Sequence, residues 1–142
     1  MFFDKKWLTI SVLAIILSIQ TAPVFSENQL SATQSVTYAN ELISINNSIN
    51  YSGPIYAFAI SIHLPDDVIF ILSKTNSIPV IQPQKGDTDT LEFIWITPPE
   101  SPVNLMYSVK STVSSGIIQS KVIYRRNNGT LYYDLPDVQI MP

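Results

Sequence analysis

The chain has 142 residues, eleven acids against eight bases, 46% hydrophobic residues and no cysteine. That excludes a disulfide framework, a thiolate metal site and a cysteine nucleophile. The mildly acidic balance, a formal charge of −3, argues against a nucleic-acid partner, because phosphate neutralisation needs a basic face.

The first 26 residues, MFFDKKWLTISVLAIILSIQTAPVFS, have the parts of a secretory signal. Lys5 and Lys6 supply the positive start, Leu8 to Ile19 the apolar run, and Val24 and Ser26 the compact residues before a cut ahead of Glu27. An uncleaved anchor is the competing reading, but a spanning helix wants roughly 20 apolar residues, and Gln20, Thr21 and Pro23 interrupt the run early. The expected organisation is a signal peptide over 1–26 and one domain over 27–142. No segment of that domain is long and apolar enough to span a bilayer. Removing Asp4, Lys5 and Lys6 leaves ten acids and six bases, a charge of −4. The expected location is extracellular or periplasmic, and the lack of cysteine leans towards a bacterial source.

No stretch after residue 27 keeps a helical period. Short β-branched and aromatic runs recur between Asn, Gly, Ser, Asp and Pro, which is the all-β pattern. Glu27 to Ala32 reads as a loose lead-in. Ser35–Tyr38 and Leu42–Ile45 read as short strands around Ala39-Asn40-Glu41, and Asn46–Asn50 as a polar turn. Phe58, Ile60, Ile62 and Leu64 then alternate with Ala57, Ala59, Ser61 and His63, so this strand has one strongly apolar face.

After Leu64-Pro65-Asp66-Asp67, the continuous run Val68–Leu72 predicts a buried strand, and Ile78–Ile81, broken by Pro79, an edge strand. Beyond the polar loop Gln82–Thr90, Leu91, Phe93 and Trp95 share a face, while Ile94 and Ile96 on the other side suggest a central strand. A loop with Pro98, Pro99 and Pro102 leads to Val103, Leu105, Tyr107 and Val109 on a second apolar face. Ile118, Val122 and Tyr124 alternate with Gln119, Lys121 and Arg125. Asn127-Asn128-Gly129 is a hairpin signal, Thr130–Tyr133 returns, and Val138–Met141 closes the sheet. The adjacent Arg125-Arg126 pair reads as a solvated edge. Eight to ten strands in one domain predict two antiparallel sheets packed face to face, an immunoglobulin-like sandwich, with a closed barrel as the alternative.

The order of landmarks carries a resemblance. IHLPDD at 62–67, TLEFIWI at 90–96, TPPESP at 97–102, MYSV at 106–109 and VIYRR at 122–126 together resemble the immunoglobulin-like domains of secreted bacterial surface proteins, some of them beside cohesin or dockerin modules. The resemblance covers about residues 42–135. It implies a spacer or interaction module and brings no active-site motif with it.

Residues that could carry chemistry are few. His63 is the single histidine, so a histidine-rich metal site is excluded, and no Gly-x-Ser-x-Gly string accompanies it. Asp87-x-Asp89 is a fragment of a calcium loop without the further carboxylates that the ion needs, and loop acids commonly serve turns instead. No catalytic residue, metal ligand or cofactor is assigned. Trp95 and Tyr107 share strand faces with Leu, Phe and Val and are expected in the core. Tyr132 and Tyr133 straddle two faces of one strand, so one of them points outward. Tyr132, Tyr133 and, at the tip of the proline loop, Glu100 are the candidate ligand contacts. The expected function is a non-catalytic extracellular interaction or structural module whose partner is a protein, a surface glycan or a second copy. A carbohydrate-binding module using exposed aromatics is the alternative.

Overall fold

In the computed structural model, which describes residues 30–140, nine strands and no helix are found among the described residues. The predicted signal over 1–26 lies outside them. In chain order the strands are β1 (Leu30–Ala39), β2 (Leu42–Tyr51), β3 (Ala57–His63), β4 (Val68–Thr75), β5 (Thr90–Trp95), β6 (Val103–Ser111), β7 (Ile117–Arg126), β8 (Gly129–Asp134) and β9 (Val138–Gln139). They form two antiparallel sheets. The first runs β1-β2-β6-β4; the second runs β5-β3-β7-β8, with β9 continuing beside the start of β7. This is the expected immunoglobulin-like sandwich, with open sheet edges rather than a closed barrel.

Period-two patterning explains why the sheets face each other. Ile43, Ile45 and Ile49 on β2, Val103, Leu105, Tyr107 and Val109 on β6, and Val68 and Phe70 on β4 are buried from one side. Phe58, Ile60 and Ile62 on β3, Leu91, Phe93 and Trp95 on β5, and Ile118, Val122 and Tyr124 on β7 close the core from the other. Each fully buried aliphatic side chain contributes about 1.5–3 kcal/mol relative to exposure, and the interdigitated faces make one continuous cluster. Phe58 meets Trp95 edge to face at 5.4 Å, and Phe70 meets Phe93 at 6.5 Å. Trp95 is satisfied as well as buried: its Nε1–H donates to the Ser77 carbonyl at 2.8 Å.

Four local expectations are corrected. Asn46–Asn50 is not a turn but the middle of β2, which pairs with β1 and β6 on its two edges. Ladder bonds on both sides outweigh the weak strand propensity of asparagine, and the inward Asn47 takes a hydrogen bond from Gln34 Nε2 at 3.0 Å. β1 starts at Leu30 rather than Ser35, because the β2 backbone templates all ten of its residues. Val68–Leu72 is an edge strand rather than a doubly buried one: its register shifts between Phe70 and Leu72, and Leu72 is exposed. β5 also lies at an edge, so Ile96 is 76% exposed rather than buried on a second side.

The ends of the sandwich are tied by polar contacts. At one pole the Tyr51 hydroxyl donates to the Pro99 carbonyl, and Ser101 Oγ accepts from Tyr51 N–H at 3.0 Å. Asn76 holds the neighbouring corner, donating to the Pro102 carbonyl and accepting from the Asn104 N–H. The proline loop is therefore a corner fastened to β2 and to the β4–β5 connection.

Candidate functional site

The outer face of the β5-β3-β7-β8 sheet carries a group of exposed and half-buried apolar side chains. Register places them in one row across the sheet. Ile81 bridges to Ile94, Ile94 pairs with Ala59, Ala59 with Ile123, and Ile123 with Tyr132. Because paired residues point to the same face, the row is continuous over four strand spacings, or roughly 20 Å. Its ends are its most open parts: Ile81 is 52% and Tyr132 63% exposed, while Ala59, Ile94 and Ile123 are half-buried by their neighbours. Ile78, Val80 and Ile96 add further exposed surface at the β5 side. The Ile78–Ile81 segment is held by backbone bonds from Val80 N–H and Ile81 N–H to the Ile94 carbonyl and from Ile94 N–H to the Ile81 carbonyl. It makes one bridge instead of the expected strand, because Pro79 cannot donate.

A charged row flanks the apolar one. Glu92 pairs with Ser61, Ser61 with Lys121, and Lys121 with Asp134. Lys121 Nζ sits 5.2 Å from the centre of the Tyr132 ring, which holds the phenol in a cation–π contact at the border of the two rows. On the other side stands Arg125, opposite Ala57 and Thr130.

The three sequence candidates are dispersed. Tyr132 belongs to the outer face. Tyr133, one residue on, turns inward and packs half-buried against the core. Glu100 is exposed on the proline loop at the pole. There it neighbours Tyr51, whose phenol is pushed up first by burial and then by the Glu100 carboxylate, against a downward pull from Arg126. Trp95, Tyr107 and Tyr124 are buried as their strand faces imply. The outward aromatic of the late strands is thus Tyr132 alone, which does not make a stacking platform.

His63 lies on the same outer face, near the end of β3, bordering a shallow groove of about 460 Å³ with Ser61, Lys121 and Asp134. Its Nδ1 is 3.8 Å from Asp89 Oδ1, beyond hydrogen-bond distance, and both side chains are solvent-exposed. No hydrogen bond from Ser61 to His63 is found among the described residues, so a nucleophile activated by a base is not assembled. The Asp87 carboxylate is engaged in its own loop, where Oδ2 accepts from the Gln84 N–H at 2.9 Å. That loop is sewn to β4 through Phe70 N–H to the Asp87 carbonyl and Gly86 N–H to the Phe70 carbonyl. No group of three or more candidate metal ligands occurs among the described residues.

Two features escaped the sequence reading. The apolar row depends on which strands are neighbours, although Ile94 and Ile96 stood out as apolar residues on the second side of their alternation. The Arg125-Arg126 pair is not a solvated edge. β7 lies between β3 and β8, Arg125 points out, and Arg126 points inward with 8% exposure.

Among known proteins, no family model matches the chain, and no curated protein matches it in sequence. A solved structure does: the full-length major pilin SpaD from Corynebacterium diphtheriae aligns with a TM-score of 0.55 at 9% identity. The alignment covers 78% of this chain and 35% of the pilin. At that identity the likeness shows the fold: an immunoglobulin-like sandwich of the kind found in a surface pilin. Nothing in it indicates the cohesin- or dockerin-neighbouring type.

Proposed function

We propose that the protein is a secreted, non-catalytic structural module that packs against a second copy of itself through the outer face of the β5-β3-β7-β8 sheet. The observation that carries this reading is the row Ile81, Ile94, Ala59, Ile123 and Tyr132, a contiguous apolar surface on the solvent side of a sheet whose other side already closes the core. Contiguous exposed apolar patches on small domains mark interaction surfaces. The flanking positions carry both signs, with Glu92 and Asp134 beside Lys121 and with Arg125 across the row. A two-fold, self-complementary pairing can therefore set opposite charges against each other while the apolar rows meet. The pilin likeness supports a structural role, and the signal-like leader supports export. Among the late-strand aromatics Tyr132 alone points outward, so the carbohydrate alternative lacks the aromatic platform on which it rests.

Affinity is bounded by simple arithmetic. Burying four half-exposed to exposed large side chains and Ala59 contributes on the order of 4–8 kcal/mol, and association itself costs about 4–15 kcal/mol. The expected complex is weak, and it becomes visible at high protein concentration. Sedimentation equilibrium from about 10 μM to 1 mM, a range that brackets Kd values worth roughly 4–7 kcal/mol, tests it. The wild type is expected to dimerise over that range. The double variant Ile94→Glu/Ile123→Glu is expected to stay monomeric with unchanged circular dichroism. A wild type that remains monomeric at 1 mM, or a double variant that associates equally well, contradicts the reading.

A further inference from the structure

β4 is the last strand of its sheet and pairs only with β6. Its run Val68-Ile69-Phe70-Ile71-Leu72-Ser73 is uncharged, free of proline and rich in β-branched and aromatic side chains. An edge of that composition is a template for pairing with another chain. Leu72 is exposed, and Ile69 and Ile71 are only half-buried. The middle of this edge is nevertheless closed by the loop before β5. Phe70 N–H donates to the Asp87 carbonyl at 2.9 Å, and the Phe70 carbonyl accepts from Gly86 N–H at 2.8 Å. Both backbone groups that Phe70 would offer to a further strand are thereby taken. The loop is braced in that position. Asp87 N–H donates to the Gln84 carbonyl at 3.0 Å, and Asp87 Oδ2 accepts from the Gln84 N–H at 2.9 Å. Gly86 holds φ +99°, a conformation natural to glycine. Asp89, two residues on, accepts from Leu64 N–H through its carbonyl at 2.6 Å.

We infer that residues 84–87 are a strap masking a latent interface: β4, once uncovered, pairs antiparallel with β4 of a second copy and joins the two four-stranded sheets edge to edge. The charges at the ends of the run select that occupant and that direction. Asp66 and Asp67 precede it, and Lys74 follows it. Antiparallel alignment about a two-fold axis brings the acids of each copy to Lys74 of the other, whereas parallel alignment sets like charges together. The strap keeps this edge closed in the folded domain. The contact is separate from the apolar row of the other sheet and stands or falls independently of it.

The test uses the Ile94→Glu/Ile123→Glu protein as parent, so that edge pairing is read apart from the row. Gly86→Pro removes the donor to the Phe70 carbonyl and forbids the positive φ without changing the charge. Losing the two bonds to Phe70 raises the population of the uncovered edge about 5- to 150-fold. Amide hydrogen exchange at Phe70 is expected to accelerate by that factor, and the apparent Kd for edge pairing to fall by the same factor in sedimentation equilibrium. Asp87→Ala, which loses only the carboxylate brace on Gln84, gives both changes to a smaller degree and serves where Gly86→Pro does not fold. Adding Leu72→Lys should abolish the gained association, while Ser31→Lys, the same charge placed on exposed β1, should leave it. Any association already present in the parent belongs to the row, and the strap is scored by the increase over it. Phe70 exchange that neither variant accelerates, accelerated exchange without added association, or added association that survives Leu72→Lys overturns the inference.

Discussion

Tyr107 offers a sharp test of the packing, because its environment is favourable for the ring and unfavourable for the hydroxyl. The side chain is fully buried in the middle of β6, and its hydroxyl has no hydrogen-bond partner. Leaving a buried hydroxyl unpaired costs about 1–3 kcal/mol. Tyr107→Phe removes that cost and leaves a gap of a single oxygen, which gives back a few tenths of a kcal/mol in lost contacts, by the scale of about 24 cal/mol per Å³ of cavity. The expected net effect is a stabilisation of about 1 kcal/mol, which for a domain of this size raises Tm by roughly 4 °C. Urea unfolding followed by the fluorescence of buried Trp95 measures it, the midpoint rising by about 0.5 M for a slope near 2 kcal/mol/M.

The same residue makes a pH prediction. Burial pushes the Tyr107 phenol well above its ordinary value of 10.0. The folded-state value exceeds the unfolded one, so stability is complete below pH 10 and falls as pH rises above it, by about 1.4 kcal/mol per pH unit for one proton. The stability gap between Tyr107→Phe and the wild type should therefore widen above pH 10. A variant destabilised by 1 kcal/mol or more at neutral pH, with no widening in alkali, refutes the reasoning and requires a partner for the hydroxyl.

Three further outcomes follow from burial and backbone geometry. Ile60→Ala, at a fully buried position on β3, is expected to cost about 2–5 kcal/mol, whereas Ile96→Ala, at a 76% exposed position, stays within about 0.5 kcal/mol; comparable losses in urea unfolding would contradict the assignment of faces. Gly116→Ala places a Cβ 3.1 Å from Pro65 Cγ and 3.4 Å from Ile140 Cδ1, at φ +142°. Gly86→Ala, at φ +99°, meets nothing within 4 Å. Both carry a backbone penalty of about 1–2 kcal/mol, so Gly116→Ala should be the more damaging in thermal unfolding, and the reverse order would overturn the contact argument. Trp95→Phe removes one of the two donors to the Ser77 carbonyl, the Thr75 hydroxyl remaining, and the lost bond is expected to cost about 0.5–1.5 kcal/mol, read by far-UV circular dichroism during denaturation.

Much of this fold is legible in the sequence because alternation reports burial directly. Phe58-Ile60-Ile62, Leu91-Phe93-Trp95 and Val103-Leu105-Tyr107-Val109 each mark an inner face, and all ten of these side chains are buried. Asn127-Asn128-Gly129 marks its hairpin equally well: Arg126 pairs with Gly129, which takes φ +122°. Alternation says nothing about which strands are neighbours. Asn46–Asn50 looks like a turn because the sequence does not show that β2 is paired on both edges. Ile94 and Ile96 look like the second face of a central strand because the sequence does not show that β5 ends the sheet. The same missing information hid the apolar row, which is assembled from four strands and one bridged loop by register alone. Arg126 was hidden differently. Beside Arg125 it reads as half of a surface pair, yet neighbours on a strand point to opposite faces, so one of any such pair on a half-buried strand must face inward.

Face-to-face packing of the β5-β3-β7-β8 sheet can be tested in one measurement, because the chain contains no cysteine to interfere. A cysteine in place of Ile123, inside the apolar row between Ala59 and Tyr132, reports whether two copies meet there; a cysteine in place of Ser31, exposed on edge strand β1 of the other sheet, serves as the control. Under mild oxidation at a concentration where the wild type sediments as a dimer, Ile123→Cys should cross-link rapidly to a covalent dimer while Ser31→Cys stays monomeric. Equal cross-linking of both, or preferential cross-linking through Ser31→Cys, would contradict the assignment of the apolar row as the surface on which the protein assembles.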